Sequence, residues 1–132
     1  MVKIAAGKLM AKPKRDPKRE HRIEMEIVVD AYGEQERAMG WYYYLQDKIS
    51  FPFTATCIAK RSTSPLKVDD EVKVIGLPGE DECEHEMFVK IRWEKKSLAV
   101  PLSQLKSSVA ADEQTQQAVE DWDYWVKMGY QF

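Results

Sequence analysis

Residues 86–102 read EMFVKIRWEKKSLAVPL and predict two β-strands joined by a tight hairpin. Both halves are rich in the β-branched and aromatic residues that strands favour, and Glu94–Ser97 between them is typical of a short turn. Two earlier segments have the same character, FTATCIA at 53–59 and EVKVIGL at 71–77. Ser64-Pro65 marks the connection between these two, and Pro78-Gly79 marks the connection to the next strand. Because no helix separates these segments, a parallel βαβ arrangement is disfavoured and a small antiparallel sheet is expected.

A helix is predicted before the first strand, in the segment EQERAMGWYYYLQDKI at residues 34–49. Its apolar residues recur at three- and four-residue steps, which gives the helix one face that packs on a core. These residues are Ala38, Trp41, Leu45 and Ile49. Pro52 ends any continuation of this helix, because it has no N–H and restricts the residue before it to extended geometry.

A second helix is predicted at the end of the chain, with Asp112 as its N-cap and Gly129 at its end. Residues 23–29, IEMEIVV, fit either a strand or a helix, and we prefer the helix. Four or five short strands with flanking N- and C-terminal helices indicate the α+β class. We expect a small, SH3-like, curved antiparallel sheet or barrel.

Charge divides the chain into two parts. Residues 1–22 carry eight Lys or Arg and two acidic residues, whereas residues 23–132 carry twelve basic and twenty acidic residues. We therefore predict a flexible basic extension at 1–21 and a single acidic domain at 22–132. The 132 residues suffice for one domain with a real core. No apolar run is long enough for a membrane span or a signal peptide, so a cytoplasmic protein without membrane contact is expected.

The most unusual segment is the acidic loop, which we define as residues 79–86, GEDECEHE. Like charges this close together repel one another, and a divalent cation would relieve the repulsion. Calcium suits the loop, because it takes six to eight oxygen ligands. In an extended loop the four glutamates would lie on one side and Asp81 would face away. In a curled loop Asp81 could also reach the ion, and the sequence leaves both geometries open. The five carboxylates are Glu80, Asp81, Glu82, Glu84 and Glu86.

Other familiar kinds of site are missing from the sequence. The EF-hand pattern is absent, so the ligands of a calcium site would have to come from separate loops. His21 and His85 lack a zinc-helix partner, and no nucleophile elbow or phosphate loop occurs, so an enzyme is not expected. Other carboxylates are available to such a site, although each alone is interpreted as a surface charge: Asp47, Asp69, Asp70, Glu71, Glu120, Asp121 and Asp123.

Four strings resemble the cyanobacterial-type calcium-binding protein family, whose members are small cytosolic proteins without EF-hands. They are ERAMGWYYYLQDKISFPF, PGEDECEHEMFVKIRW, LAVPLSQL and DWDYWVKMGY. The resemblance covers about residues 22–132 and implies a compact α/β fold with an SH3-like sheet, calcium buffering or sequestration, and no catalysis. It also implies a calcium-binding role for Asp47, which follows the aromatic helix, and for the acidic loop.

The sequence thus leads to the hypothesis of a calcium (Ca²⁺) site assembled from separate loops. In it, Asp47 and two or more of the five acidic-loop carboxylates ligate the ion, and water or main-chain oxygens complete the shell. The alternative is an SH3-like peptide or nucleic-acid interaction module with the basic tail as a phosphate clamp. The acidic body disfavours nucleic acid. The aromatic groove of such a module would use Trp41, Tyr42, Trp93, Trp122 and Trp125.

Overall fold

The structure is a computed structural model that describes residues 12–132. Residues 1–11, which belong to the predicted basic extension, lie outside the described residues. The helices are α1 (Pro17–Arg22), α2 (Glu34–Lys48) and α3 (Glu113–Lys127), and a π-helical turn, Ile23–Ile27, directly follows α1. The strands are β1 (Phe53–Cys57), β2 (Glu71–Gly76), β3 (Phe88–Trp93), β4 (Lys96–Pro101) and β5 (Leu105–Ser107). Short 3₁₀ turns lie at Glu80–Cys83 and Leu102–Gln104.

The strands form one antiparallel sheet in the order β4-β3-β2-β1-β5. The predicted hairpin is present, with Phe88 opposite Pro101 and Trp93 opposite Lys96. The α+β class and four of the strands are therefore confirmed, whereas β5 was not predicted, because three residues are too few to show alternation. Within residues 12–132, no pairing joins the edge strands β4 and β5, and the SH3-like form of the sheet stays a prediction.

The core lies between this sheet and the two long helices. Trp41 of α2 is fully buried, and its ring lies 5.0 Å from that of Trp122 and 5.6 Å from that of Trp125, both in α3. Asp112 caps α3 by accepting a 2.7 Å hydrogen bond from the N–H of Thr115, as predicted. None of the helices in the described part of the chain is long and apolar enough to cross a membrane.

The segment after α1 packs closely against α2. Ile23 and Ile27 are buried, and the helical interpretation of this segment agrees with the observed π-helical turn. Gly40 makes the close approach possible, since a Cβ at this position would lie 2.3 Å from the carbonyl oxygen of Ile27. The missing side chain thus lets the backbone of the turn rest directly on the helix.

Asp121 of α3 is fully buried, and its interpretation as a surface charge is wrong. Its carboxylate accepts hydrogen bonds from Arg19 at 3.0 Å, from Arg22 at 2.6 Å and from the hydroxyl of Tyr44 at 2.8 Å. Burial and the hydrogen bond to Asp121 raise the pKa of Tyr44 to about 12. Two cations from the basic segment therefore compensate a charge that would otherwise be costly to bury.

These contacts extend the packed part of the chain beyond the boundary that the charge pattern predicts between residues 21 and 22. Asp16 caps α1 by accepting a hydrogen bond from the N–H of Arg19 at 3.1 Å, and its own N–H donates to the Tyr124 hydroxyl of α3. Glu20 is buried as well. The described part of the basic segment, from residue 12, thus includes a helix that lies against α3.

Candidate functional site

The acidic loop is curled rather than extended. Glu80–Cys83 forms a 3₁₀ turn after Pro78-Gly79, closed by a 3.0 Å hydrogen bond from the N–H of Glu82 to the carbonyl of Gly79. This is the second of the two geometries that the sequence leaves open, and it removes the arrangement with four glutamates on one side. Cys83 turns inward and is fully buried, while Glu80, Asp81 and Glu82 are exposed.

Two consecutive tyrosines of α2 hold the start of the acidic loop. The hydroxyl of Tyr42, a buried residue, donates a 2.6 Å hydrogen bond to the carbonyl of Pro78. The hydroxyl of Tyr43, which is half exposed, donates to a carboxylate oxygen of Glu80. Successive helix positions point about 100° apart, so one tyrosine reaches the backbone of the loop and the other reaches its side chain.

The far end of the loop is held by other contacts. The sulfur of Cys83 accepts a 3.4 Å hydrogen bond from the N–H of Phe88, at the start of β3. The carboxylate of Glu86 pairs with both terminal nitrogens of Arg61, at 2.9 and 3.1 Å, and lies 3.4 Å from the hydroxyl of Ser103. The residues between these attachments, including Asp81 and Glu84, point to solvent. The loop is thus a short exposed span with two fixed ends.

A cleft of about 730 Å³ lies between this span and the N-terminal half of α2. Four carboxylates line it, three from the acidic loop and one from the first turn of α2, beside the imidazole of His85. They are Glu34, Glu80, Asp81 and Glu84. Glu34 was not predicted, because it lies far from the loop in sequence and is typical of an acidic residue that favours a helix N-terminus.

Three groups beside the acidic loop have raised pKa values. Burial raises the pKa of the Tyr42 phenol, and the nearby Cys83, Glu80 and Asp81 raise it further. The hydrogen bond to Glu80 raises the pKa of Tyr43. Burial also raises the pKa of the Cys83 thiol, and neighbouring acidic side chains add to the effect. Burial disfavours charge of either sign, whereas the smaller part of the shifts that comes from the acidic side chains reflects a negative potential that a cation would relieve.

Asp47 is not part of this cleft. It lies near the end of α2, its side chain is 76% exposed, and its carboxylate is 3.6 Å from the ammonium group of Lys48. Tyr43 lies one helical turn earlier, so Asp47 and Tyr43 share a helix face. Within residues 12–132, no three Asp, Glu, His or Cys side chains converge closely enough to hold a metal ion. The predicted ligands therefore do not form a closed shell in this part of the chain.

The donors that line the cleft fit a hard cation. Apart from His85 and the thioether of Met39 they are carboxylates, the amide of Gln35 and a phenol, and the thiol of Cys83 is buried and hydrogen bonded. Oxygen ligands suit calcium and magnesium, whereas zinc favours nitrogen and sulfur. Of the other acidic residues, Asp123 pairs with Lys127 at 2.9 Å and Asp70 accepts from the N–H of Lys67 at 2.9 Å. These two have local structural roles.

Comparison with known proteins gives matches over most of the chain. A profile of the CcbP family, described as calcium binding, matches residues 21–126. The structure is similar to the crystal structure of Anabaena CcbP, with 41% sequence identity and a TM-score of 0.80, over 92% of this chain and 99% of that chain. It is also similar to a calcium-binding protein in its calcium-binding form, with 40% identity and a TM-score of 0.79, over 89% of this chain and 96% of that one. No curated protein sequence matched.

Proposed function

The chain belongs to the CcbP family of calcium-binding proteins, and from this premise we propose that it binds calcium through the carboxylates of its acidic loop. This is a calcium-binding family and not an enzyme family. The predicted role, buffering or sequestration of calcium in the cytoplasm, is consistent with ligands that lie on an open surface, where the ion exchanges readily with solvent.

The observation that carries the proposal is the exposed acidic span with two fixed ends. Glu80, Asp81 and Glu84 line one cleft, and Glu34 faces them from the first turn of α2. Because the ends of the span are already held, an ion has to order only a few side chains rather than a whole loop. We assign the centre of the site to these four carboxylates, with water and main-chain oxygens as further ligands.

Asp47 and Glu82 complete the proposed ligand set at its edge. Asp47 lies one helical turn after Tyr43, whose hydroxyl already reaches Glu80. A calcium ion that binds Glu80 on this side would draw the exposed Asp47 away from Lys48. Glu82 lies in the same 3₁₀ turn and is exposed. Glu86 was also a predicted ligand, but its carboxylate is paired with Arg61.

Calcium is favoured over magnesium because the site is open and collected from separate segments. Calcium tolerates variable coordination by six to eight oxygens, whereas magnesium demands a near-ideal octahedron and keeps its waters. A site of this kind is expected to have a dissociation constant of about 10⁻⁷ to 10⁻⁵ M, the range of calcium sensors.

Isothermal calorimetry tests the proposal directly. Calcium is expected to give a saturable isotherm, and magnesium at equal concentration is expected to give little heat. Glu80→Gln and Asp81→Asn should each weaken calcium binding, and Asp47→Asn should weaken it less. Glu26→Gln is a matched control, because Glu26 is exposed on the π-helical turn and is not among the lining residues. Absence of heat with calcium would refute the proposed function.

The alternative of an aromatic interaction module loses its main support in the structure. Trp41, Tyr42, Trp122 and Trp125 are at most 8% exposed, so they form core rather than a groove. Arg19, one cation of the proposed phosphate clamp, is paired with Asp121 and is unavailable to an external anion.

A further inference from the structure

Glu86 differs from the other carboxylates of the acidic loop. We propose that Arg61 holds Glu86 outside the calcium shell, so that the two side chains form a charge-neutral anchor of the loop and Arg61 lowers the affinity for calcium. This inference rests on the proposed function, since it assigns roles to two residues beside the same site. It removes Glu86 from the predicted calcium ligands and gives a role to Arg61, which the sequence analysis did not identify.

The geometry of the pair is that of a fixed structural contact. The two terminal nitrogens of Arg61 meet the two oxygens of Glu86 at 2.9 and 3.1 Å, which is the planar two-point arrangement of guanidinium and carboxylate. Arg61 also lies 3.3 Å from the hydroxyl of Ser103, and the Glu86 side chain is only 25% exposed. The hydrogen bond to Glu86 raises the pKa of Arg61, so this cation keeps its charge.

The pair connects three separate segments at one end of the sheet. Arg61 belongs to the connection between β1 and β2, Glu86 ends the acidic loop, and Ser103 lies in the 3₁₀ turn after β4. Next to it, the N–H of Leu102 donates a 2.9 Å hydrogen bond to the carbonyl of Met87. For Glu86 to ligate calcium, it would have to leave two charge-assisted hydrogen bonds in a partly buried position. Of the exposed carboxylates, Glu80 would give up one hydrogen bond, from the Tyr43 hydroxyl, rather than a two-point ion pair.

The pair also determines the charge that calcium meets. With both side chains present their charges cancel, so removing either one changes the local charge by one unit in opposite directions. A unit charge about 10 Å from a divalent ion in water changes its binding constant by about fourfold, and less at physiological salt. Arg61→Gln should therefore tighten calcium binding by about fourfold at low salt, and Glu86→Gln should weaken it by about the same factor.

The double variant Arg61→Gln/Glu86→Gln separates this charge effect from ligation. If Glu86 is not a ligand, the double variant restores the original charge and should bind calcium within about twofold of the unmodified protein. If Glu86 is a ligand, the double variant should bind as weakly as Glu86→Gln alone, and the inference is overturned. Arg61→Lys keeps the charge and should leave the affinity unchanged. Weaker binding by both Arg61→Gln and Arg61→Lys would show a purely structural role and would also overturn it.

Two measurements give readouts other than affinity. Thermal unfolding in chelator of the unmodified protein, Arg61→Gln, Glu86→Gln and the double variant should show coupling between Arg61 and Glu86 without any calcium. Absence of coupling would contradict the anchor. In NMR spectra of the unmodified protein, calcium should shift the side-chain carboxyl carbons of Glu80 and Asp81 and leave that of Glu86 nearly in place. A large shift at Glu86 would refute the inference. If the unmodified protein gives no calcium isotherm, the proposed function fails, whereas the coupling in chelator still tests the anchor.

Discussion

The guanidinium of Arg22 donates a 2.6 Å hydrogen bond to the buried carboxylate of Asp121, across 99 positions of the sequence. A second arginine, Arg19, reaches the same oxygen at 3.0 Å. Both arginine side chains are about one-fifth exposed, whereas the carboxylate is completely covered. The two arginines therefore join the basic segment to Asp121 of α3. Removal of the arginines would leave the buried carboxylate without a cation, and removal of the carboxylate would leave the arginines without their anion.

Asp121→Asn should reduce the free energy of unfolding by about 3 kcal/mol, because it leaves two arginines without their buried anion. Urea denaturation followed by circular dichroism measures this as a shift of the midpoint. Glu120→Gln is the matched control, since that carboxylate is 56% exposed and lies 3.4 Å from Arg19. Equal midpoints for the two variants would contradict a special role of the buried pair.

Calcium should raise the melting temperature of the protein by linkage, since the folded chain presents the site and the unfolded chain does not. At a free calcium concentration one hundred times the dissociation constant, the gain is about 2.7 kcal/mol. Differential scanning calorimetry with calcium and with chelator measures it. Glu80→Gln/Asp81→Asn should lose most of the gain, and a full gain in that variant would place the ion elsewhere.

Tyr43 should report calcium binding through its own absorbance. Its hydroxyl donates to Glu80 and its ring is 51% exposed, so an ion that takes over this carboxylate changes the environment of the phenol. We expect a calcium-induced difference in the near-ultraviolet spectrum that Tyr43→Phe removes. Tyr32→Phe, at a site 84% exposed, is the control and should keep the difference. Loss of the signal in both variants or in neither would contradict this prediction.

Glu20 should make stability depend on pH in the acid range. It accepts 2.7 Å hydrogen bonds from the hydroxyls of Tyr130 and Tyr124, which hold its pKa below the usual 4.5. Arg15 and Asp16 also face this carboxylate. A carboxyl group with a lower pKa in the folded state stabilises the fold above the unfolded pKa, and this contribution is lost as the pH falls through the folded pKa. The difference in melting temperature between the unmodified protein and Glu20→Gln should thus shrink below pH 4.5. A constant difference would contradict the assignment.

Gly40→Ala should destabilise the protein although alanine is the better helix former by about 1 kcal/mol. The added methyl group would lie 2.3 Å from the carbonyl oxygen of Ile27, so the π-helical turn would have to move. We expect a loss of about 2 kcal/mol in the free energy of unfolding, by urea denaturation. Gly76→Ala is the control, since its added methyl group would meet only the flexible side chain of Lys90, at 3.8 Å. A stabilised Gly40→Ala protein would refute the close contact.

The long helices and four strands were predictable because each carries its own local pattern. The apolar spacing of α2 and the N-cap Asp112 of α3 need no knowledge of the rest of the chain. The strand Leu105–Ser107 has no such pattern and depends on its neighbour, since Leu105 pairs with Cys57 of β1. The extended conformation of so short a strand therefore depends on its pairing with β1.

The acidic loop was recognisable from its composition, whereas its geometry was not. The density of carboxylates identified the acidic loop, whereas its 3₁₀ turn depends on contacts with α2, such as that of Tyr42 with Pro78. Glu34 and Arg61 lie far from the loop in sequence, and nothing in their local surroundings distinguishes them from ordinary surface charges. The tertiary structure determines which charged side chains lie close together, and a single sequence does not show these pairs.

The packing of α1 on α3 has a practical consequence for anyone who shortens this protein. The charge pattern changes after Arg22, which suggests a fragment that starts at Ile23 and lacks the Lys- and Arg-rich residues 1–22. Such a fragment would keep Asp121 and lose both of its counterions, leaving a buried carboxylate that keeps the Tyr44 hydroxyl but has neither arginine. Cloning boundaries drawn from composition would therefore cut through the folding unit, and a soluble fragment should retain the chain from at least Asp16.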